Sequence, residues 1–193
     1  TNLVSYTDFD YGTTGSWTVT SGGTIAIQTG EGAYKYNTNT PYSANMAEVY
    51  ATGTSDVHVS YAGSTAGYIP VTGGQQYTYG IDLITSDDHG PVQGFNAYIS
   101  IDWYDSTYTL ISTRDAQTIQ TPLDPAPAQT ISVTATSPSN AVYANLRITW
   151  LAPTGAGYGI RFNKCIFENK PYYIDYFNGD YGYSENSDIF WSG

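Results

Sequence analysis

Cysteine, histidine and positive charge are nearly missing from this chain: one Cys, two His and six Lys and Arg together in 193 residues. A lone Cys165 makes no internal disulfide, so the fold does not rest on bridges, and its apolar run marks a buried, inert thiol. His58 and His89 stand outside any HExxH or CxxC spacing, which removes the usual zinc sites. His58 alternates with Val57 and Val59 and reads as a surface residue of a strand. No GxSxG elbow and no phosphate-cradling glycine loop occurs. A formal net charge of −11 leaves no basic stripe for nucleic acid or for an anionic membrane surface. No apolar run approaches the ~20 residues that span a bilayer, so membrane insertion is not expected. The opening TNLVSYTDFD carries no signal-peptide pattern, so we expect either the mature part of something larger or release without such a signal.

What fills the space is tyrosine, 20 of them, among Gly, Ser, Thr and Asn. Tyrosine joins a flat apolar face to one hydroxyl, which suits pleated surfaces and the recognition of polar ligands. With acid–base side chains scarce, this composition points to a binding β-domain rather than an enzyme. The length suits one domain with a real core, or one domain plus an appendage.

Helical periodicity is absent, and β-branched and aromatic runs recur between turn signals. Strands are expected over Ser16–Thr20, Gly23–Thr29, Met46–Ala51, Asp56–Ala62, Gln76–Thr85, Phe95–Tyr104, Tyr108–Thr113, Gln129–Thr136, Val142–Leu151 and Tyr158–Glu168. About ten short strands without helical crossovers make an all-β antiparallel sandwich. Alternation then assigns faces. Tyr77, Tyr79, Ile81 and Leu83 go inward, as do Phe95, Ala97, Ile99, Ile101 and Trp103, and Ala144, Leu146, Ile148 and Trp150. Thr78 and Asp82, then Asn96, Tyr98, Ser100, Asp102 and Tyr104, then Asn145, Arg147 and Thr149 go outward. From Pro171 the chain turns aromatic and acidic, so residues 1–170 read as the domain and 171–193 as a segment that docks on it or on a neighbouring chain.

A sugar site on a sheet needs a ring to stack on C–H faces and polar groups to fix hydroxyls. Tyr98, Asp102 and Asn96 share one strand face, and Asp82 and Arg147 come from strands that could neighbour it. The plain alternative is an ordinary solvated face with Arg147 paired to an Asp. Tyr104 and Tyr108 could serve at a loop edge. Trp17 remains open as a stacking platform, whereas Trp103 and Trp150 share parity with Ile and Leu and belong to the core. Asp82 and Asp102 also form a conceivable carboxylate pair of the glycosidase kind, but nothing signals the cleft it needs.

Several runs together resemble a known pattern. Asn2-Leu3-Val4 with Phe9-Asp10, Gly12 and Gly15-Ser16-Trp17 is similar to the opening of jelly-roll carbohydrate-binding modules of xylanases and cellulases. Ile69 through Gly74 with Tyr77-Thr78, Ile101 through Asp105, Ala141 through Ile148, and Gly157 with Ile160 through Phe167 resemble their later strands. Asp175 through Asp180, ending in Trp191-Ser192-Gly193, resembles the segment after such a domain in minor tail proteins of actinobacterial phages. The resemblance covers most of the chain. It implies a jelly roll without catalysis, located in the virion and extracellular, whose partners are host-surface polysaccharide and other tail subunits, a homotrimer being one form. A spacer or oligomerising domain of the tail, or a module of a secreted polysaccharide-degrading enzyme, are the alternatives it leaves. It also places Asp10 and Asn163 where related modules hold a structural calcium, although Asp10 replaces a longer Glu and Asn163 lacks a charge. The other reading makes Asp10 an acceptor of turn hydrogen bonds and Asn163 the mark of a bulge.

Overall fold

The structure is a computed structural model in which residues 2–4, 9, 14–29, 45–85, 95–121 and 128–172 are described. Asp10, His89, the turns at 87–91 and 122–127, and residues 173–193 lie outside them, so the expectations placed there concern undescribed residues.

Two antiparallel sheets face each other. The front sheet orders β1 (Thr18–Ser21), β4 (Val57–Ser60), β11 (Tyr143–Trp150), β7 (Asn96–Tyr104) and β8 (Leu110–Asp115). Two short strands join it, β5 (Ile69–Pro70) against β11 and β9 (Ile119–Gln120) against β7. The back sheet orders β10 (Gln129–Thr136), β6 (Gln76–Thr85), β12 (Gly159–Glu168), β3 (Asn45–Ala51) and β2 (Gly23–Thr29). Among the described residues the only helical piece is a 3-10 turn at Thr65–Gly67. All ten expected strands are present, three of them with the bounds the sequence gives; β5 and β9 are too short for periodicity to show.

The inward sets meet as expected. Every odd residue from Phe95 to Trp103 is buried in one core with Tyr79, Ile81, Leu83, Leu146, Ile148 and Trp150. Trp17 is buried as well, edge-on to Tyr61 and Phe162 at ring-centroid distances of 5.4 and 5.1 Å. It packs rather than offering a platform. Cys165 is buried and free, and burial pushes its thiol well above the ordinary range. The β1–β2 corner needs a glycine: Gly22 has φ +76, and a Cβ there would lie 2.4 Å from the Asp56 carbonyl oxygen.

β12 reaches the core through a bulge. Asn163 opposes Asp82 and Ile166 opposes Gly80, so β12 carries one residue more than β6 across that span. Lys164 takes φ 53, its N–H donates to the Asn163 side-chain oxygen at 2.7 Å, and inward parity passes from Phe162 to Cys165. Here the bulge reading of Asn163 is the one the backbone follows.

Candidate functional site

The outward face of the front sheet is a ladder of polar and aromatic residues in register. Across β11 and β7, Thr149 opposes Tyr98, Arg147 opposes Ser100, Asn145 opposes Asp102 and Tyr143 opposes Tyr104. β8 extends two of these rows, with Asp115 beside Ser100 and Thr113 beside Asp102. β4 adds Ser60 beside Arg147 and His58 beside Thr149, the His58 Nδ1 lying 3.3 Å from the Thr149 hydroxyl. Asn96, Tyr98, Asp102 and Arg147 are thus brought to one face, with Asn96 exposed at its far end and Tyr98 half-buried.

Asp82 is not among them. β6 belongs to the back sheet, so the Asp82 carboxylate points outward on the opposite side, where it accepts from Thr130 and lies 3.3 Å from the Lys164 ammonium. Parity tells in from out but not which of two sheets a strand joins. The same separation rules out Asp82 and Asp102 as a glycosidase pair, since roughly 10 Å between sheets and the whole core divide them.

Asp102 is more enclosed than an outward position suggests, with 5 % of its surface exposed. The Thr113 hydroxyl donates to its Oδ1 at 2.6 Å and Arg147 Nη1 sits 3.3 Å from its Oδ2. Burial raises its pKa; the Thr113 hydrogen bond and Arg147 oppose that rise, and the charge of Asp115 adds to it. Asp102 therefore fixes Arg147 from below. The Arg147 side chain stays 30 % exposed and presents its planar donors to solvent.

One end of this face is built of tyrosines. Tyr68 lies 4.4 Å from Tyr104 between ring centroids, and Tyr108 stacks on Tyr143 at 4.7 Å with 16° between planes. Tyr68 and Tyr108 meet edge-on at 6.1 Å, which joins the two pairs. Tyr108 stands at φ 62, unusual for an aromatic residue. The turn that holds it is pinned by the Asp105 carboxylate, which accepts from the Thr107 and Thr109 backbone N–H groups at 2.8 and 3.0 Å. Tyr68 arrives on the loop after β4, where the Asn145 amide bonds both the N–H and the carbonyl of Ala62, at 3.0 and 3.1 Å. Burial and the Tyr68 hydrogen bond raise the Tyr104 phenol, so it stays protonated and able to donate.

Tyr143 was within reach of sequence reasoning, lying two residues before Asn145 on the outward parity of β11. Tyr68 was not, because a loop and a distant amide place it there.

The carboxylate adjacent to Asn163, that of Asp82, lies 3.3 Å from the Lys164 ammonium, and no group of three or more His, Cys, Asp or Glu able to hold a metal occurs among the described residues. Asp10, the other residue of the calcium expectation, lies outside them.

No protein-family model matches the chain, and no curated protein matches it in sequence. Solved structures do match it in shape. The CBM22-1 xylan-binding domain of Paenibacillus barcinonensis Xyn10C superposes with a TM-score of 0.61 at 11% identity, over 87% of this chain and 94% of that one. TmCBM61, solved in complex with β-1,4-galactotriose, gives 0.59 at 10% identity over 88% and 99%. The fold is a jelly-roll sandwich like theirs. A third match is the enzymatically active domain of tailspike protein 4 of bacteriophage CBA120, at a TM-score of 0.60 and 13% identity over 86% of this chain. The chain spans 21% of the length of that domain. These identities establish the fold alone.

Proposed function

We propose that the chain is a non-catalytic glycan-binding domain whose front face holds a polysaccharide without turning it over. The observation that carries this reading is the outward face itself. A four-tyrosine platform and Tyr98 lie at the two ends of β7, six residues or ~20 Å apart, with Arg147, Thr113 and Asp115 on the floor between them. Rings stack on sugar C–H faces and the floor supplies donors and acceptors for hydroxyls. Asp102, beneath that floor, is enclosed and committed to Thr113 and Arg147, which suits positioning and not proton transfer to a ligand.

For the larger setting, attachment of a virion to host-surface polysaccharide is the reading we favour, with the protein in the phage tail. The aromatic, acidic segment from Pro171 supports it, as does the presence of the same fold in a phage tailspike. In that setting weak sites gain from repetition on one tail tip. The second reading, a module of a secreted polysaccharide-degrading enzyme, is supported by the like-shaped CBM22-1 module joined to a GH10 module in the Clostridium thermocellum xylanase Xyn10B. Both share the glycan face. Calorimetric titration of the chain with soluble xylan, β-1,4-galactan and actinobacterial cell-wall polysaccharide tests it. Saturable binding to at least one is expected; heat of dilution alone with all of them contradicts the reading.

A further inference from the structure

The four edges of the two sheets are not treated alike. In the front sheet, β8 ends in Arg114 and Asp115 and slips register against β7, while β1 is four residues long and slips register against β4. Charge, shortness and bulges are the devices that stop an open edge from pairing with another strand. β2 in the back sheet turns through the Gly22 corner straight into β1. β10 has none of these protections. Its eight residues, Gln-Thr-Ile-Ser-Val-Thr-Ala-Thr, hold no charge, no proline and no glycine, and are rich in β-branched side chains. They match β6 residue for residue from Gln129 opposite Leu83 to Thr136 opposite Gln76, without a bulge. Among the described residues β10 is the last strand of its sheet, so every second residue turns its N–H and C=O away from β6. Gln129, Thr130, Ser132 and Thr136 are exposed along it.

We infer that β10 is an assembly edge, and that its occupant is β10 of a second copy of this chain, paired antiparallel about a twofold axis. Charge selects a second copy. With a net charge of −11 on each chain, two copies repel wherever acidic residues meet, and this uncharged strand offers them contact without a like-charge pair. The edge is also self-complementary, since an antiparallel twofold contact places each residue opposite one from the same strand. Ile131 and Val133 stay in their own cores, and Thr130 and Thr134 are already tied to Asp82 and Thr78, so pairing takes only backbone groups and asks for no repacking. The two back sheets then continue as one. Because the axis runs through that sheet, both front faces look the same way, and, on the glycan reading above, one dimer presents two binding faces to one surface.

Sedimentation equilibrium of the full chain, from micromolar to near-millimolar concentration, tests the contact. A monomer–dimer equilibrium is expected. Ser132 is exposed and opposes Gly80, so Ser132→Lys and Ser132→Glu keep the fold while setting like charges across the axis. Each variant alone should dissociate at least about tenfold more readily, ~1.4 kcal/mol, and an equimolar mixture of the two should recover the association. Backbone amides of residues 129–136 should exchange more slowly at high than at low protein concentration. A wild-type chain that stays monomeric throughout, or a dimer untouched by either charge, overturns the assignment. Retained glycan binding by monomeric variants would leave the front-face reading standing while the edge contact is judged separately.

Discussion

Tyr108 puts its ring where the platform needs it at the cost of a left-handed backbone, and that makes it separable from the fold. Glycine accepts φ 62 without strain and lacks the ring. Tyr108→Gly should therefore leave the thermal midpoint within a few degrees of wild type while weakening glycan affinity about tenfold, in line with ~0.5–1.5 kcal/mol for an aromatic contact beyond its area. Calorimetry and thermal unfolding on one preparation read both. Asp102 is the other telling residue. Its pKa is raised by burial, so its contribution to stability is fully present below the ordinary carboxylate pKa and is lost as pH rises through the raised one. Asp102→Asn keeps an acceptor for Thr113 and cannot ionise. Relative to this variant, the wild type should lose stability over the pH interval just above the ordinary carboxylate range, as followed by denaturant unfolding at stepped pH. A difference that stays constant across that interval contradicts the assignment.

At the scale of elements, strands with strict alternation were legible because one face of each is core. Gln76–Thr85 and Gln129–Thr136 read directly, since a one-residue slip would expose Tyr79 or Ile131. β12 was legible in extent but not in phase, because the extra residue at Lys164 is a backbone event that no period announces. The aromatic platform was half legible. Tyr104 and Tyr143 follow strand parity, whereas Tyr68 depends on a loop fastened by Asn145, a contact between residues 83 apart in sequence. That fastening is testable. Asn145→Ala removes two hydrogen bonds and leaves the Ala62 N–H and carbonyl buried, which should cost about 1–3 kcal/mol. It should also lower glycan affinity through Tyr68, which itself touches no altered atom. A variant with lowered stability and undiminished affinity would show that the loop does not hold the platform.

For the whole molecule, the sandwich followed from composition and turn spacing, but the partition of strands between layers did not. Asp82 and Asp102 have the same pattern around them in sequence and lie on opposite outer faces. The back face carries a polar cross-link of its own. Gln28 donates to the Tyr50 hydroxyl at 2.6 Å, Tyr50 donates to Glu48 at 2.7 Å, and the fully buried Glu48 lies 3.4 Å from Arg161. Those groups are spent on one another, while the front face keeps Tyr98, Tyr108 and Arg147 open to solvent in part. On the function proposed above, ligand contact belongs to one side of the sandwich. Backbone and side-chain NMR during titration with an oligosaccharide cut from whichever polysaccharide binds reads this directly. Shifts confined to Tyr98, Tyr104, Tyr108, Tyr143 and Arg147, with Glu48, Asp82 and Arg161 unmoved, are the predicted result; saturable shifts centred on the back-sheet residues would contradict it.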